Sequence, residues 1–147
     1  MKEGKGMDLD LSTLENALRQ LEQVNLRSQD QVFMAAQDDI TRSAIKAGVI
    51  QHFEIVYELA WKFIQRWIRE NRSPEEADHA RNRKELFRLA ARCGLINDPL
   101  PWFGYAQARN LSVHTYNEKD AEAVYTRVQS FSFDVRYLLE KLREQND

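Results

Sequence analysis

Leu11, Leu14, Leu18 and Leu21 recur at steps of three and four residues, the spacing that lines one face of an α-helix. Ser12 or Asp10 can accept from the first free amides of such a helix, so the pattern predicts an amphipathic helix over about residues 10–26. From Asp30 to Ala47 the apolar positions thin to Val32, Phe33, Ile40 and Ile45, with no proline or glycine to break a helix. A turn is expected somewhere between residues 25 and 42.

Gly48 to Asn71 carries the densest apolar content. Val49, Phe53, Val56, Ala60, Phe63 and Trp67 form one stripe, and Ile50, Tyr57, Trp61, Ile64 and Ile68 form a second beside it. One stripe of about 100° is enough to face a core. A helix this broadly apolar is therefore central in its own bundle or shared with a second copy of the chain, and the pattern leaves both readings open.

Ser73, Pro74 and Glu76 read as a helix restart, with serine as cap, proline at the first helical position and the glutamate three residues after the cap. The next helix, with room for an interruption, runs to Gly94 with Leu86, Leu89, Ala90 and Cys93 inward, and Gly94 suits a left-handed end. Asn97-Asp98-Pro99 marks a loop before a helix containing Trp102, Tyr105, Ala106 and Arg109. Asn117, with Asp120 three residues on, caps a last helix whose seam is Val124, Val128, Phe131, Val135, Leu138 and Leu142. That seven-residue seam suits helix packing at about +20°. No segment alternates with period two and no internal repeat is visible. The expected fold class is all-α: a single up-down bundle of four or five helices over residues 7–147, dimerising through its long central helix. Residues 1–6, a Gly/Lys-rich stretch before Met7, read as a flexible extension, an alternative start or an expression remnant, and stand outside that fold.

Composition narrows the function. The 147 residues are 43% hydrophobic, enough for one core. With 21 basic against 23 acidic residues the net charge is -2, which gives no global attraction to nucleic acid or anionic membrane, so any phosphate binding has to be local. One cysteine, Cys93, rules out an internal disulfide framework and a cysteine-based zinc site. No apolar run is long enough to span a membrane, and the start has no signal-peptide core. A cytoplasmic protein is expected, with no membrane association and no cofactor.

Reactive side chains concentrate in Arg109-Asn110-Leu111-Ser112-Val113-His114-Thr115-Tyr116. In a straight helix, residues 109 and 114 lie about 140° apart around the axis and about 7.5 Å along it. To grip one phosphate together they need a helix end near His114, or the same residues of a second subunit. Tyr116 falls in the expected connecting turn. On residue type alone, an arginine and a histidine at a helix end also serve as capping and ion-pairing groups.

Arg109-Asn110-x-x-x-His114-x-Tyr116 resembles the R-x4-6-H signature of HEPN domains, in its R-x4-H-x-Y form. Gly48-Val49-Ile50-Gln51-His52-Phe53-Glu54 and Tyr57-Glu58-Leu59-Ala60-Trp61-Lys62 are similar to the long helix of the nucleotidyltransferase substrate-binding subfamily. Gly94-Leu95-Ile96 and the run from Ser112 to Glu118 extend the likeness to about residues 10–142. The resemblance implies a dimeric helical bundle encoded beside a minimal nucleotidyltransferase, the two forming a toxin and its antidote. It implies a metal-independent ribonuclease using Arg109, Asn110 and His114, silenced when the transferase attaches AMP to Tyr116. It equally accommodates a milder reading, in which the bundle binds substrate for its transferase partner without catalysis.

Elsewhere, Arg81, Lys84, Arg88 and Arg92 make a basic ridge that could hold RNA phosphates or an acidic partner face, or simply be solvated. His52 and His79 are too far apart and too short of ligand neighbours for a metal site. Glu54, Glu58 and Lys62 form a row suggesting ion pairing along one helix. Trp61, Trp67 and Trp102 read as core rather than as a base-stacking platform.

Overall fold

In the computed structural model, backbone is described for residues 10–79, 82–114 and 117–146, and side chains for 10–77, 82–112 and 117–145. The expectation for residues 1–6 lies outside the described residues. Helix α1 (Ser12–Gln29) buries Leu14, Leu18 and Leu21 as its leucine spacing requires. Its N-cap position is Leu11, which offers no side-chain acceptor. The Asp10 carboxylate instead accepts from the Ser12 amide at 3.1 Å and from its hydroxyl at 2.7 Å.

Asp30 caps the short α2 (Gln31–Ala35) by accepting from the Phe33 amide. Asp38 then starts α3 (Asp39–Asn71) by accepting from the Thr41 amide at 2.7 Å. The expected turn is thus at residues 36–38, and the long helix begins at Asp39 rather than Gly48, because an aspartate cap outweighs thin hydrophobic periodicity. Its 33 residues span about 50 Å. α3 is the axis of the molecule, meeting α1, α4, α5, α6, α7 and α8.

Both apolar stripes of α3 are covered within one chain. Val49, Phe53, Val56, Ala60 and Trp67 of the first and Ile50, Tyr57, Ile64 and Ile68 of the second are buried, with Trp61 and Phe63 half-buried. The breadth of the apolar surface therefore follows from a central position and gives no independent sign of a second copy.

Ser73 caps α4 (Pro74–His79) through the Glu76 amide at 3.0 Å, and Asn82 caps α5 (Arg83–Arg92) through the Glu85 amide at 2.9 Å. The chain turns out of α5 at Gly94, whose φ of 81° lets the Leu95 amide return to the Ala90 carbonyl at 3.0 Å. Asp98 accepts from the Leu100 amide at the start of α6 (Pro99–His114), and Asn117 accepts from the Asp120 amide at the start of α7 (Glu118–Tyr125). The single last helix expected from the seam is two: α8 (Val128–Asn146) follows a tight turn at Thr126 and Arg127. There the Thr126 hydroxyl donates to the Ala123 carbonyl and the Arg127 amide to Val124, replacing the α-helical pattern. All six seam residues are nonetheless fully buried.

The core is continuous from α1 through α3 to α8. Its aromatic centre is Phe53, Trp102, Tyr105 and Phe131: Phe53 and Phe131 have ring centroids 4.7 Å apart, and Tyr105 and Phe131 5.0 Å, both edge to face. Tyr105 also donates its hydroxyl to Asp134 and lies 3.2 Å from the Ser130 hydroxyl, tying α6 to α8. Among the described residues there are eight helices and no strand, and no helix is long and apolar enough to cross a membrane.

Candidate functional site

α6 carries the motif. It anchors in the core through Trp102, Tyr105 and Ala108, and Arg109 and Asn110 follow directly, Arg109 half-buried and Asn110 exposed. α6 is helical through residue 114, which puts positions 109 and 114 on one helix about 140° apart, with 114 its last residue. Tyr116 lies outside the described residues, as does the His114 side chain.

Arg109 faces α3. Its Nε is buried and lies 3.1 Å from Oε2 of Glu58, within ion-pair reach but off line for a hydrogen bond. Glu58 is held on its other side, Oε1 accepting from the Trp61 indole at 3.2 Å. Among the described residues no hydrogen bond engages the terminal nitrogens of Arg109. One turn along, Ser112 donates to Glu54 and makes a 2.8 Å contact with the Arg109 carbonyl. The Glu54 and Glu58 row thus reaches across to α6. The expected pairing of Glu58 along its own helix with Lys62 is replaced, since the Lys62 ammonium lies 5.7 Å over the Trp61 ring.

Beside Arg109 a cleft of about 500 Å³ opens between α3, α5 and α6, lined by Tyr57, Glu58, Arg83, Lys84, Arg109 and Asn110, among others. Asn110 is exposed. The Arg83 guanidinium lies 3.3 Å over the Trp61 ring. Burial pushes the Tyr57 phenol up to about 12, against the opposing Arg83 charge, with Glu58 adding to the rise.

Of the predicted basic ridge, Lys84 lines this cleft, and Lys84 and Arg88 both lie over the Phe103 ring of α6, at 5.6 and 5.2 Å. Arg92 is exposed at the far end of α5, near Glu76. Arg81 lies outside the described residues, and the His79 side chain does too. Of the tryptophans, Trp67 and Trp102 are core, whereas Trp61 borders the cleft. Sequence does not single out Tyr57 and Arg83 as site residues: a tyrosine in an apolar stripe reads as core, and nothing distinguishes an arginine just after a capping asparagine. Glu58 leaves a signal in its four-residue spacing from Glu54, but not the identity of its partner.

Other clefts lie apart from the motif's arginine, among them an open one of about 840 Å³ at the end of α1. One of about 480 Å³ between the start of α3 and α7 includes Arg42, Lys46, Asn117 and Tyr125, and one of about 380 Å³ between α1 and α8 includes Leu26 and Phe133. Among the described residues no group of three metal-ligating side chains gathers.

The fold is a small all-α bundle with a polar, cationic cleft beside Arg109. The chain belongs to the nucleotidyltransferase substrate-binding protein-like family, whose model matches residues 9–144. It is 36% identical over 138 residues to a Haemophilus influenzae protein named "Probable ribonuclease HepT", covering 94% of both chains. A solved Haemophilus influenzae structure, described as the fold of a substrate-binding domain of a nucleotidyltransferase, superposes with a TM-score of 0.84 at 36% identity, over 91% of this chain and 99% of that one. A Thermus thermophilus crystal structure matches with a TM-score of 0.68 at 28% identity, over 88% and 98%.

Proposed function

We propose that this chain, as a single HEPN-like domain over residues 7–147, is the ribonuclease subunit of a cytoplasmic two-component module. Its partner is a minimal nucleotidyltransferase encoded nearby. Arg109, Asn110 and His114 are the catalytic residues, and AMP attachment to Tyr116 is the control. The observation that carries this reading is the placement of Arg109 and Asn110 together in a cationic cleft, on the helix that ends at His114. The relative named as a ribonuclease and the family's link to nucleotidyltransferases support it.

The chemistry requires no metal. A base removes the proton from the RNA 2'-hydroxyl, whose oxygen attacks the adjacent phosphorus. An acid then protonates the departing 5'-oxygen, leaving a cyclic phosphate. Histidine suits either role near neutral pH. In a homodimer, two copies of His114 supply one role each, which also answers the 140° separation of positions 109 and 114 within one helix. Arg109 offers its terminal nitrogens to the phosphorane oxygens, and Asn110 orients the scissile group. In the control reaction the Tyr116 oxygen attacks the α-phosphorus of ATP, pyrophosphate leaves and the transferase accepts the phenolic proton. The AMP added there brings bulk and negative charge to a place meant for RNA phosphate.

The test is His114→Ala: purified variant is expected to lose RNA cleavage and growth inhibition while keeping its helical signal, and undiminished cleavage by the variant would reject the reading. A second reading, a non-catalytic subunit presenting substrate to a nucleotidyltransferase, is favoured by the description of the Haemophilus structure and by the contact that holds Arg109 to Glu58. It expects altered transferase kinetics in the complex, and no His114-dependent cleavage by this chain alone.

A further inference from the structure

Several described arginines away from the cleft are neutralised locally. Arg19, Arg42, Arg66, Arg72, Arg136 and Arg143 each hold a carboxylate. Around the cleft the pattern changes. Among the described residues no carboxylate lies within ion-pair distance of Arg83, Lys84 or Arg88; each lies against an aromatic ring, Arg83 on Trp61 and the other two on Phe103. The acidic group inside the cleft is Glu58, and Arg109 and Trp61 occupy its two oxygens.

The cations follow a direction. α5 and α6 pack against each other, with Arg83 and Lys84 beside Arg109 and Asn110, and with Arg88 beside Phe103. Lys84 and Arg88 stand one turn apart, about 6 Å along the helix. Any polymer cut at the motif has to continue past the bond that breaks, and the α5–α6 groove offers an exit with uncompensated positive charge. Stacking on a ring holds a cation in place without neutralising it, so engaging a phosphate there breaks no ion pair among the described residues.

We infer that the groove between α5 and α6 is a second subsite, which binds the single-stranded RNA backbone flanking the cleaved bond. Arg83, Lys84 and Arg88 contact its phosphates; the inference rests on the ribonuclease reading for the identity of the polymer. The four-residue step from Lys84 to Arg88 marks a basic ridge in the sequence; its place beside the motif, with Arg83 added, follows only from the packing of α5 on α6.

The experiment measures fluorescence anisotropy of a labelled single-stranded RNA of roughly a dozen nucleotides, titrated with full-length protein in a His114→Ala background so that the RNA stays whole. Lys84→Gln and Arg88→Gln, both at exposed positions, are each expected to weaken binding about three- to tenfold at low salt. Each should also reduce the slope of log affinity against log salt by about 0.7. Arg92→Gln removes the same charge outside the groove, so its expected loss is less than about twofold. Circular-dichroism melting verifies that the variants fold. The inference is overturned if the three variants bind alike, if the parent protein does not bind RNA, or if Lys84→Gln spares RNA affinity and instead weakens the complex with the transferase. The nuclease reading fails separately: a wild-type chain that never cuts, while Lys84→Gln still weakens binding, removes catalysis and leaves the groove. His114-dependent cutting with normal binding by Lys84→Gln removes the groove and leaves catalysis.

Discussion

Oε2 of Glu58 lies 3.1 Å from Nε of Arg109, joining the central helix to the helix that carries the motif. Because both side chains are about a third exposed, the pair contributes little to stability, under about 1 kcal/mol. Its consequence is positional: a guanidinium gripped on its Nε side has fewer orientations for its terminal nitrogens. Glu58→Gln keeps an acceptor for the Trp61 indole and removes the charge. Under the ribonuclease reading it is expected to lower kcat roughly tenfold, since small misplacements of a catalytic group are costly. KM should fall slightly, because one negative charge leaves the cleft. Unchanged kcat in steady-state cleavage assays would show that Glu58 does not position Arg109.

Tyr116→Phe separates control from catalysis. Incubation with the cognate transferase and ATP is expected to add AMP to the wild-type chain and none to the variant, read by intact mass. RNA cleavage by the variant should persist after that treatment. AMP on the variant would move the acceptor to another residue.

Alkaline pH tests the buried tyrosine of the cleft. The Tyr57 phenol is raised from 10.0 to about 12 chiefly by burial, so between those values the unfolded chain releases a proton that the folded chain retains. Stability is therefore fully present below about pH 10 and falls as pH rises toward 12, by up to about 3 kcal/mol from this group. Tyr57→Phe should flatten that decline, measured as the loss in Tm between pH 8 and pH 11. An equally steep decline in the variant would assign the alkaline sensitivity elsewhere.

Phe131 packs edge to face on Phe53 and Tyr105 from α8. Phe131→Ala is expected to destabilise the fold by about 3–5 kcal/mol, read as a lowered urea midpoint with two-state shape retained. A loss below about 1 kcal/mol would mean that the aromatic centre readily collapses around the gap.

Asp38→Ala removes the cap of the long helix. A loss of about 1 kcal/mol is expected, with faster amide exchange confined to the first turns of α3. Protection unchanged at Thr41 would show that the packing of α3, not its cap, fixes where it starts.

Much of this architecture is legible in the sequence because helices announce themselves by period. The leucine spacing of α1, the two stripes of α3 and the seam of α7 and α8 give the core almost residue by residue. The caps at Ser73, Asn117 and Gly94 are equally readable, since each depends on a local bond or a backbone angle. The start of α3 at Asp39 is not, because Asp38 acts through one hydrogen bond in a stretch of weak periodicity. Nor is the break at Thr126, where neither proline nor glycine marks the turn. At the site, local sequence exposes Arg109 and Asn110 and marks Glu58 without its partner, but conceals Tyr57 and Arg83, which become neighbours only when α3, α5 and α6 pack. The breadth of α3 leaves a central helix and a second copy both open in the sequence, and only packing shows the chain's own helices covering its stripes.

The capping residue Asn82 gives α5 its first turn, and the next two residues are Arg83 and Lys84. That end of a helix carries partial positive charge, where cations are disfavoured by about 0.3–1 kcal/mol each, and Glu85 is the acidic residue of that turn. A chain selected for durability alone would place acids there. Replacing the exposed Lys84 with glutamate should raise the melting temperature, and on the inferred subsite the same change should weaken RNA binding. Tolerance to heat and the inferred affinity for RNA are thus set against each other at one position.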